Sequence, residues 1–491
     1  MPRKDHALNS HAADEHLADD RMADDPITDD RITDDRTADA CMAVDYMAVD
    51  FGTSNSAVAL WRPHAGGTSG TAAVTLVELE PGHPTMPTAV FYRAETPAHQ
   101  LEAERLYGRA ALAAYVDGQD GRLMRSMKSI LGSSLLDQRT DIGAGRAVRY
   151  RDVVTAYLQH LKARAEASAG RELKRVVLGR PVFFVDDEPE RDQQAQDALM
   201  TAAKALGFTD IVFQYEPIAA ALDYEMRMPQ GAAEQIVLVA DIGGGTSDFS
   251  VVRVGPQLRN RAERRDDVLA NHGLHVAGTD FDRHIELQAI LPLLGYGSLR
   301  PARSGETARE VPSGVYFDLA TWHLINTVYA PARLADLRGM KSWYARPEHH
   351  ARLMVTVQQR LGHALAAAAE QAKIDVAMQG QATIELHALE WGLGSSLQAA
   401  QAAQALEADL ARIVAAAQET VHRAGVRPEA VDVLFFTGGS TGLQPLVDRI
   451  ADGFKCAQQV RGDRFASVAQ GLGLHAQRVF GARKKGARNV P

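Results

Sequence analysis

Ala240-Asp241-Ile242-Gly243-Gly244-Gly245-Thr246-Ser247-Asp248 is the stretch on which the reading of the fold turns. Ile236–Ala240 before it is a short apolar run that reads as a strand, and Asp248–Val254 after it reads as the next strand. Glycines permit positive φ and let bare backbone N–H groups approach an anion. Thr246 and Ser247 add hydroxyl donors. Asp241, at the strand end, is suited to hold a hydrated magnesium ion. Carboxylates beside a phosphate repel it unless a cation lies between them, so the combination points to a metal–nucleotide complex.

Two further segments share the design. Val49-Asp50-Phe51-Gly52-Thr53-Ser54-Asn55-Ser56 again carries an aspartate at a strand end, then glycine and hydroxyls. Phe436-Thr437-Gly438-Gly439-Ser440-Thr441 repeats the glycine turn without the acid. About 190 residues separate the first from the second, and about 195 more lead to the third, which suggests two similar halves around one ligand. None has the Gly-Lys-[Ser/Thr] of a P-loop, and no Gly-x-Gly-x-x-Gly fingerprint opens a helix.

The surrounding chain alternates strands and helices. Met47–Phe51, Ala57–Arg62, Arg175–Leu178 and Val431–Thr437 read as strands. Arg151–Ala169, Glu190–Leu206, Gln358–Met378, Leu397–Ala424 and a segment from about Leu443 have helical period. Residues 295–350 yield no element. Such alternation predicts an α/β protein.

Composition narrows the function classes. Of 491 residues, 46% are hydrophobic and 23% charged, as in soluble globular chains. Two cysteines, Cys41 and Cys456, exclude a disulfide framework or a four-cysteine zinc site. No apolar run reaches 18 residues and no secretory signal is readable, so a cytoplasmic location without a membrane span is expected. Residues 1–46 hold 13 acidic and 5 basic side chains, leaving 49 acidic against 48 basic in the remainder. A neutral body predicts no nucleic-acid partner. The paired aspartates from Asp19-Asp20 to Asp34-Asp35 recur every five residues, a period of neither helix nor strand, so residues 1–46 are read as a disordered acidic extension. They lack EF-hand spacing. The basic end, residues 483–491, is read as a solvated tail.

Taken together, the motifs resemble the heat-shock protein 70 (DnaK-like) chaperones, within the superfamily of actin, sugar kinases and chaperone ATPases. The first turn resembles that family's phosphate-1 loop, Asp241–Asp248 its phosphate-2 loop, and Phe436–Thr441 its adenosine loop. Tyr215-Glu216-Pro217-Ile218-Ala219-Ala220-Ala221-Leu222 resembles the connecting motif, and Gly278-Thr279-Asp280-Phe281-Asp282 the start of an outer subdomain. Five motifs in order span about residues 47–480. The resemblance implies an α/β actin-like ATPase fold: two ribonuclease-H-like lobes with outer subdomains around a central nucleotide cleft. Its first lobe would be residues 47–230, its second 231–463, with 464–482 returning to the first.

The resemblance also implies site residues. Asp50, Asp241 and Asp248 would surround Mg2+ and its waters. Gly52, Thr53, Ser54 and Asn55 would bind the β- and γ-phosphates from one side, and Gly243, Gly244, Gly245 and Thr246 from the other. Asp50, Glu216, Asp241 and Thr246 would form the catalytic set, with Glu216 orienting the attacking water. The alternative role for Glu216 is to cap the helix it begins. Glu370 and Lys373 match adenosine contacts, with a solvated face as the alternative for Lys373. Gly438, Gly439 and Ser440 would pack against base and ribose, and Pro181 matches a signalling proline. Asp282 reads as structural, and His349, His350 and His363 as packing or surface groups rather than metal ligands.

Departures shape the functional expectation. In the resemblance a catalytic lysine follows Gly108-Arg109-Ala110-Ala111, where this chain has Leu112, with Arg109 or Lys128 as substitutes. Losing a cation there would cost on the order of 3 kcal/mol of transition-state stabilisation. Ile374, Ala377 and Gly442 replace an arginine, a serine and another arginine. The chain also ends soon after Phe480 with no peptide-binding domain expected, and with Gly121–Lys128 this resembles short YegD-like members. The expected function is an ATP/ADP- and Mg2+-dependent conformational switch that hydrolyses ATP slowly and is read by a protein partner or co-chaperone. The alternatives are an inactive nucleotide-binding scaffold or a small-molecule kinase.

Overall fold

The apolar runs that lead into the glycine turns become the central strands of two sheets. The computed structural model describes residues 45–62, 73–94, 103–185, 188–259, 261, 263–301, 309–322, 324–463 and 466–481. Most of the acidic extension and the whole basic tail lie outside these residues. In the first sheet the order is Asp210–Tyr215, Arg175–Arg180, Tyr46–Phe51, Asn55–Arg62, Ala73–Leu76, with Thr85–Pro87 paired to Asn55–Arg62. In the second it is Val268–Leu274, Ser247–Val254, Gln235–Ile242, Val433–Thr437, Gln458–Arg461.

Both sheets follow one plan. Three strands form an antiparallel meander, and the first of them also pairs in parallel with the fourth, which pairs in parallel with the fifth. Parallel neighbours require crossovers. The helices Tyr150–Ala169 and Pro189–Ala205 supply them in the first sheet, Ala399–Arg423 and Gln444–Asp452 in the second. One more helix follows each fifth strand directly: Glu216–Arg227 after the first sheet, Ser467–Ala476 after the second.

These two terminal helices share a core with both sheets. Ala48, Ala57, Ala59 and Val177 come from the first sheet, Val237, Val239, Val433 and Phe435 from the second, and Ile218–Leu222, Ala469 and Leu472 from the helices. Small side chains let the helices touch at the backbone. A Cβ at Gly471 would run into the Ala219 carbonyl, so this crossing tolerates no side chain.

Each meander leads into an outer piece before its crossover helix. The first holds a three-stranded sheet (Ala89–Arg93, Arg105–Tyr107, Gly121–Arg125) and the helix Gly108–Val116, with a small core of Ala89, Phe91, Ala111 and Ala114. The second is mainly helical and ends in the hairpin Gln381–Glu385/Gly394–Gln398. Here the sequence reading needs correction. Residues 295–350 contain the helices Gly314–Leu319, Ile325–Val328 and Pro331–Gly339, and Pro347–Gln358 begins there. The predicted helix Gln358–Met378 is in fact Gly362–Gln379, separated from Pro347–Gln358 by a break at Arg360, whose φ is 56°. Among the described residues no helix is long and apolar enough to cross a membrane.

Candidate functional site

The equivalent strands Tyr46–Phe51 and Gln235–Ile242 end at the two aspartate–glycine turns. In the first, Phe51 pairs with Ser56 across Gly52–Asn55. Thr88 braces it: its hydroxyl donates to the Gly52 carbonyl at 2.8 Å and its backbone N–H to the Ser54 carbonyl at 2.9 Å. In the second, the Gly243 N–H closes the turn onto the Thr246 carbonyl at 2.9 Å, and the Thr246 hydroxyl donates to Asp248 at 2.9 Å. The two turns meet: a Cβ at Gly244 would lie 2.9 Å from the Ser54 hydroxyl oxygen.

The third turn adjoins the second. Ser440 donates its hydroxyl to the Gly243 carbonyl at 2.7 Å, and Thr279 donates its hydroxyl and N–H to the Gly244 carbonyl at 2.8 and 2.7 Å. Gly438 has φ +86°, and a Cβ there would collide with the Ile242 carbonyl and stand 2.6 Å from Asp241 Oδ1. Only glycine fits this close approach. The Ser440 hydroxyl, expected against base and ribose, thus fastens one turn to another.

Charge converges beside these turns. Glu216 is the first residue of the helix Glu216–Arg227 but not its N-cap residue, a position held by Tyr215 without a side-chain bond. It instead accepts two bonds from Lys128 Nζ, at 2.6 and 2.8 Å. Lys128 reaches it from a 3-10 turn, Met127–Ile130, that follows Ser126 in left-handed backbone (φ 55°) and is pinned by buried Met127. Burial works against the Lys128 charge, but Glu216, Asp50 and Asp248 outweigh it and hold its pKa up. Loss of solvent, then Glu216, pushes the Asp50 carboxyl up against the pull of Lys128, with Asp241 adding to the rise. Asp241 rises to about 7 through loss of solvent, then Asp248 and Glu216, again against Lys128. Four carboxylates thus share one ammonium.

Of the two substitutes that the sequence offers for a lysine at position 112, it is Lys128 that stands among the carboxylates. Leu112 lies on the helix Gly108–Val116 and packs against the small outer core. Arg109 is bound to Glu80 and to the Thr85 carbonyl. Lys128 thus places an ammonium among the carboxylates without a lysine at position 112. The readable signal was a lone lysine between Met127 and Leu131, two apolar residues four apart that both prove buried.

Lys373 is not a solvated face residue. It pairs with Asp282 at 2.6 Å and reaches the Gly278 carbonyl at 3.5 Å, tying its helix to the helix Gly278–Ile285. Glu370 lies one turn earlier and is exposed. His349, His350 and His363 take packing roles, bonded to the Ser298 hydroxyl, the Leu337 carbonyl and Asn326. Among the described residues no three His, Cys, Asp or Glu side chains are grouped so as to hold a metal directly. The donor chemistry of Asp50, Asp241 and Asp248 fits a magnesium ion that keeps most of its waters.

Comparison with known proteins agrees with this arrangement. Residues 46–287 match the family model described as Hsp70 protein. The chain is 29% identical over 235 residues to the chaperone protein DnaK of Mycoplasmoides gallisepticum, covering 48% of this chain and 34% of that relative. It is 29% identical over 275 residues to a chaperone protein HscA homolog of Aromatoleum aromaticum, covering 52% of this chain and 38% of that relative. A DnaK of Thermosipho melanesiensis is 28% identical over 235 residues, covering 48% and 34%. The matched region spans little more than a third of these curated relatives. With the paired aspartate–glycine turns, these matches support an Hsp70-family nucleotide-binding domain in this chain.

Proposed function

We propose that the chain binds ATP with magnesium between two lobes, residues 47–230 and 231–463, hydrolyses it slowly, and changes the angle between the lobes with the nucleotide bound. The observation that carries this reading is the Lys128–Glu216 ion pair, set among Asp50, Asp241 and Asp248 where two glycine turns meet. So acidic a site accepts a polyphosphate only together with a divalent cation, whose charge would offset the carboxylates and polarise the phosphate oxygens.

The chain's own groups then divide the work. Gly52, Thr53, Ser54 and Asn55, with Gly243, Gly244, Gly245 and Thr246, donate to the β- and γ-phosphates. Lys128 stabilises negative charge at the transferring phosphoryl group. Glu216, held in place by Lys128, orients the attacking water and accepts its proton. Glu370 and Lys373 hold the ribose side, and Gly438, Gly439 and Ser440 shape the wall near the base. Residues 464–482 return to the first lobe through the terminal helix and form the pivot. A protein partner would read the resulting change of shape. The inactive-scaffold alternative rests on Leu112, and the Lys128–Glu216 pair supports the hydrolysing reading over it.

Calorimetry with ATP and ADP in the presence of magnesium tests the binding step, and single-turnover hydrolysis tests the chemistry. Micromolar or tighter binding with slow turnover is expected. Absence of binding to either nucleotide would overturn the proposal, and binding with no turnover would leave the scaffold reading in its place.

A further inference from the structure

The outer piece of the second half holds a cavity of about 300 Å3 that shares no lining residue with the charged site. Arg283, His284, Leu287 and Gln288 line it from the helix Gly278–Ile285 and the π-helical turn Glu286–Ile290 that continues that helix. Tyr296 and Phe317 supply an aromatic wall, and Ala405 adds a small side chain from the helix Ala399–Arg423. Packing fixes these groups. The Tyr296 ring meets Phe317 edge-on, with centroids 5.8 Å apart, and lies 5.7 Å from Tyr316. Tyr316 is buried and donates its hydroxyl to the Leu294 carbonyl at 2.9 Å. His284 Nε2 stands 3.0 Å from the Asp409 carboxylate.

Arg283 is left unmet. Its Nε is buried without a hydrogen-bond partner, and among the described residues its guanidinium has no ion pair. Its one neighbour of note is the Phe317 ring, 5.7 Å away. A buried N–H of a charged group left unpaired is costly, so the position favours an acceptor of opposite charge. Phe317 keeps 37% of its surface exposed, an apolar face beside that cation. The π-helical turn under Leu287 and Gln288 is a rare feature that recurs at functional sites.

Charge and size narrow the ligand. A carboxylate matches the guanidinium fork with two parallel bonds. His284 already faces Asp409, so Arg283 is the uncommitted cation of the lining, and one negative charge satisfies it. A dianion would bring a second charge toward the Asp409 carboxylate. An uncharged ring would fill the space but leave the Arg283 N–H unpaired. The volume stands at the low end of ligand pockets, which run about 300–1,000 Å3, so the ligand is small.

We propose that this cavity binds a small aromatic monocarboxylate, its carboxylate paired with the Arg283 guanidinium and its ring packed on Phe317, Tyr296 and Leu287. The proposal is independent of the nucleotide reading, and either can fail without the other.

The test titrates the full chain with phenylacetate by calorimetry in magnesium-free buffer, with 2-phenylethanol as the uncharged probe and phenyl phosphate as the dianion. Saturable binding of phenylacetate is expected, with 2-phenylethanol at least about tenfold weaker. Arg283→Met keeps an unbranched apolar stem and should weaken phenylacetate about tenfold or more, leaving the alcohol as weak as before. Phe317→Ala removes the exposed ring and should weaken phenylacetate about three- to tenfold. Bound phenylacetate should slow amide exchange in residues 283–296 and 314–319 while the two large sheets stay as they were. Absence of saturable binding by about 10 mM phenylacetate overturns the proposal. Equal affinity for the alcohol, tighter binding of phenyl phosphate, or a phenylacetate affinity unmoved by Arg283→Met overturns it as well. Should either variant fail to fold, the three probes and the exchange map on the parent chain decide: protection elsewhere, or none, overturns the site.

Discussion

The two large sheets have the same strand order, the same pairing directions and a terminal helix in the same place, yet they contribute different things to the site. The first sheet and its outer piece supply Asp50, Lys128 and, at the start of the terminal helix, Glu216, while Asp241 and Asp248 come from the second sheet. The second supplies a backbone cradle, with the Gly243 and Gly244 carbonyls tied to Ser440 and Thr279 so that the turn keeps its shape. The equivalent position at the start of the second terminal helix is Ser467, which is buried and bonded to the Asp463 carbonyl. Repetition of the fold thus carried over the turn and its aspartate but not the ion pair.

The sharpest way to break this comparison is to remove the first half's cation. Lys128→Ala is expected to slow single-turnover hydrolysis about 10²–10³-fold, or roughly 3–4 kcal/mol of barrier. Its circular dichroism should be unchanged, because the lysine lies at the site rather than in a core. Leu112→Lys should not speed hydrolysis, since that position packs on the outer core; acceleration beyond twofold would return the cationic gap to Leu112.

Gly438→Ala probes the second half. The left-handed backbone and the collision with the Ile242 carbonyl predict a loss of about 2 kcal/mol in denaturant unfolding. Nucleotide affinity should fall as Asp241 is displaced.

Histidines sharpen the comparison through pH. His475, bonded to Gln214 beneath the first sheet, and His363, in the second outer piece, are both lowered to about 4, chiefly by burial. The unfolded chain takes up these protons first, near 6.5, so stability is whole above that pH and declines as pH falls toward 4. Urea midpoints should drop between pH 7 and pH 5, by on the order of 1–2 kcal/mol per histidine. His475→Asn should flatten its share of that decline. Smallest of all, Ser440→Ala removes one bond to Gly243 and should cost about 1 kcal/mol, read as a lower thermal midpoint.

Much of this was legible from residues alone, for physical reasons. Val49–Phe51 and Val237–Ile242 alternate little because their strands are buried on both faces, and apolar runs ending in glycine are a strong local signal. The paired turns marked the place where the charged side chains converge, because an aspartate, glycines and hydroxyls in sequence are a local signal. Lys128 could not be separated from Arg109 in sequence because its pairing comes from convergence: it meets Glu216, 88 positions away, only after the chain folds. The helices within residues 295–350 were hidden because most are short and none has a side-chain cap bond; Ser313, Pro331 and Pro347 were weak start signals. The break at Arg360 escaped notice because a left-handed arginine leaves no glycine to mark it.

The crossing of Gly471 on Ala219 has a mechanical consequence. Ala219 is three residues from Glu216 on the same helix, so the crossing and the carboxylate are less than one turn apart. A rocking motion about that point would swing the Glu216 end through a short arc with little lost motion, gearing the posture of the whole molecule to the aim of a single side chain.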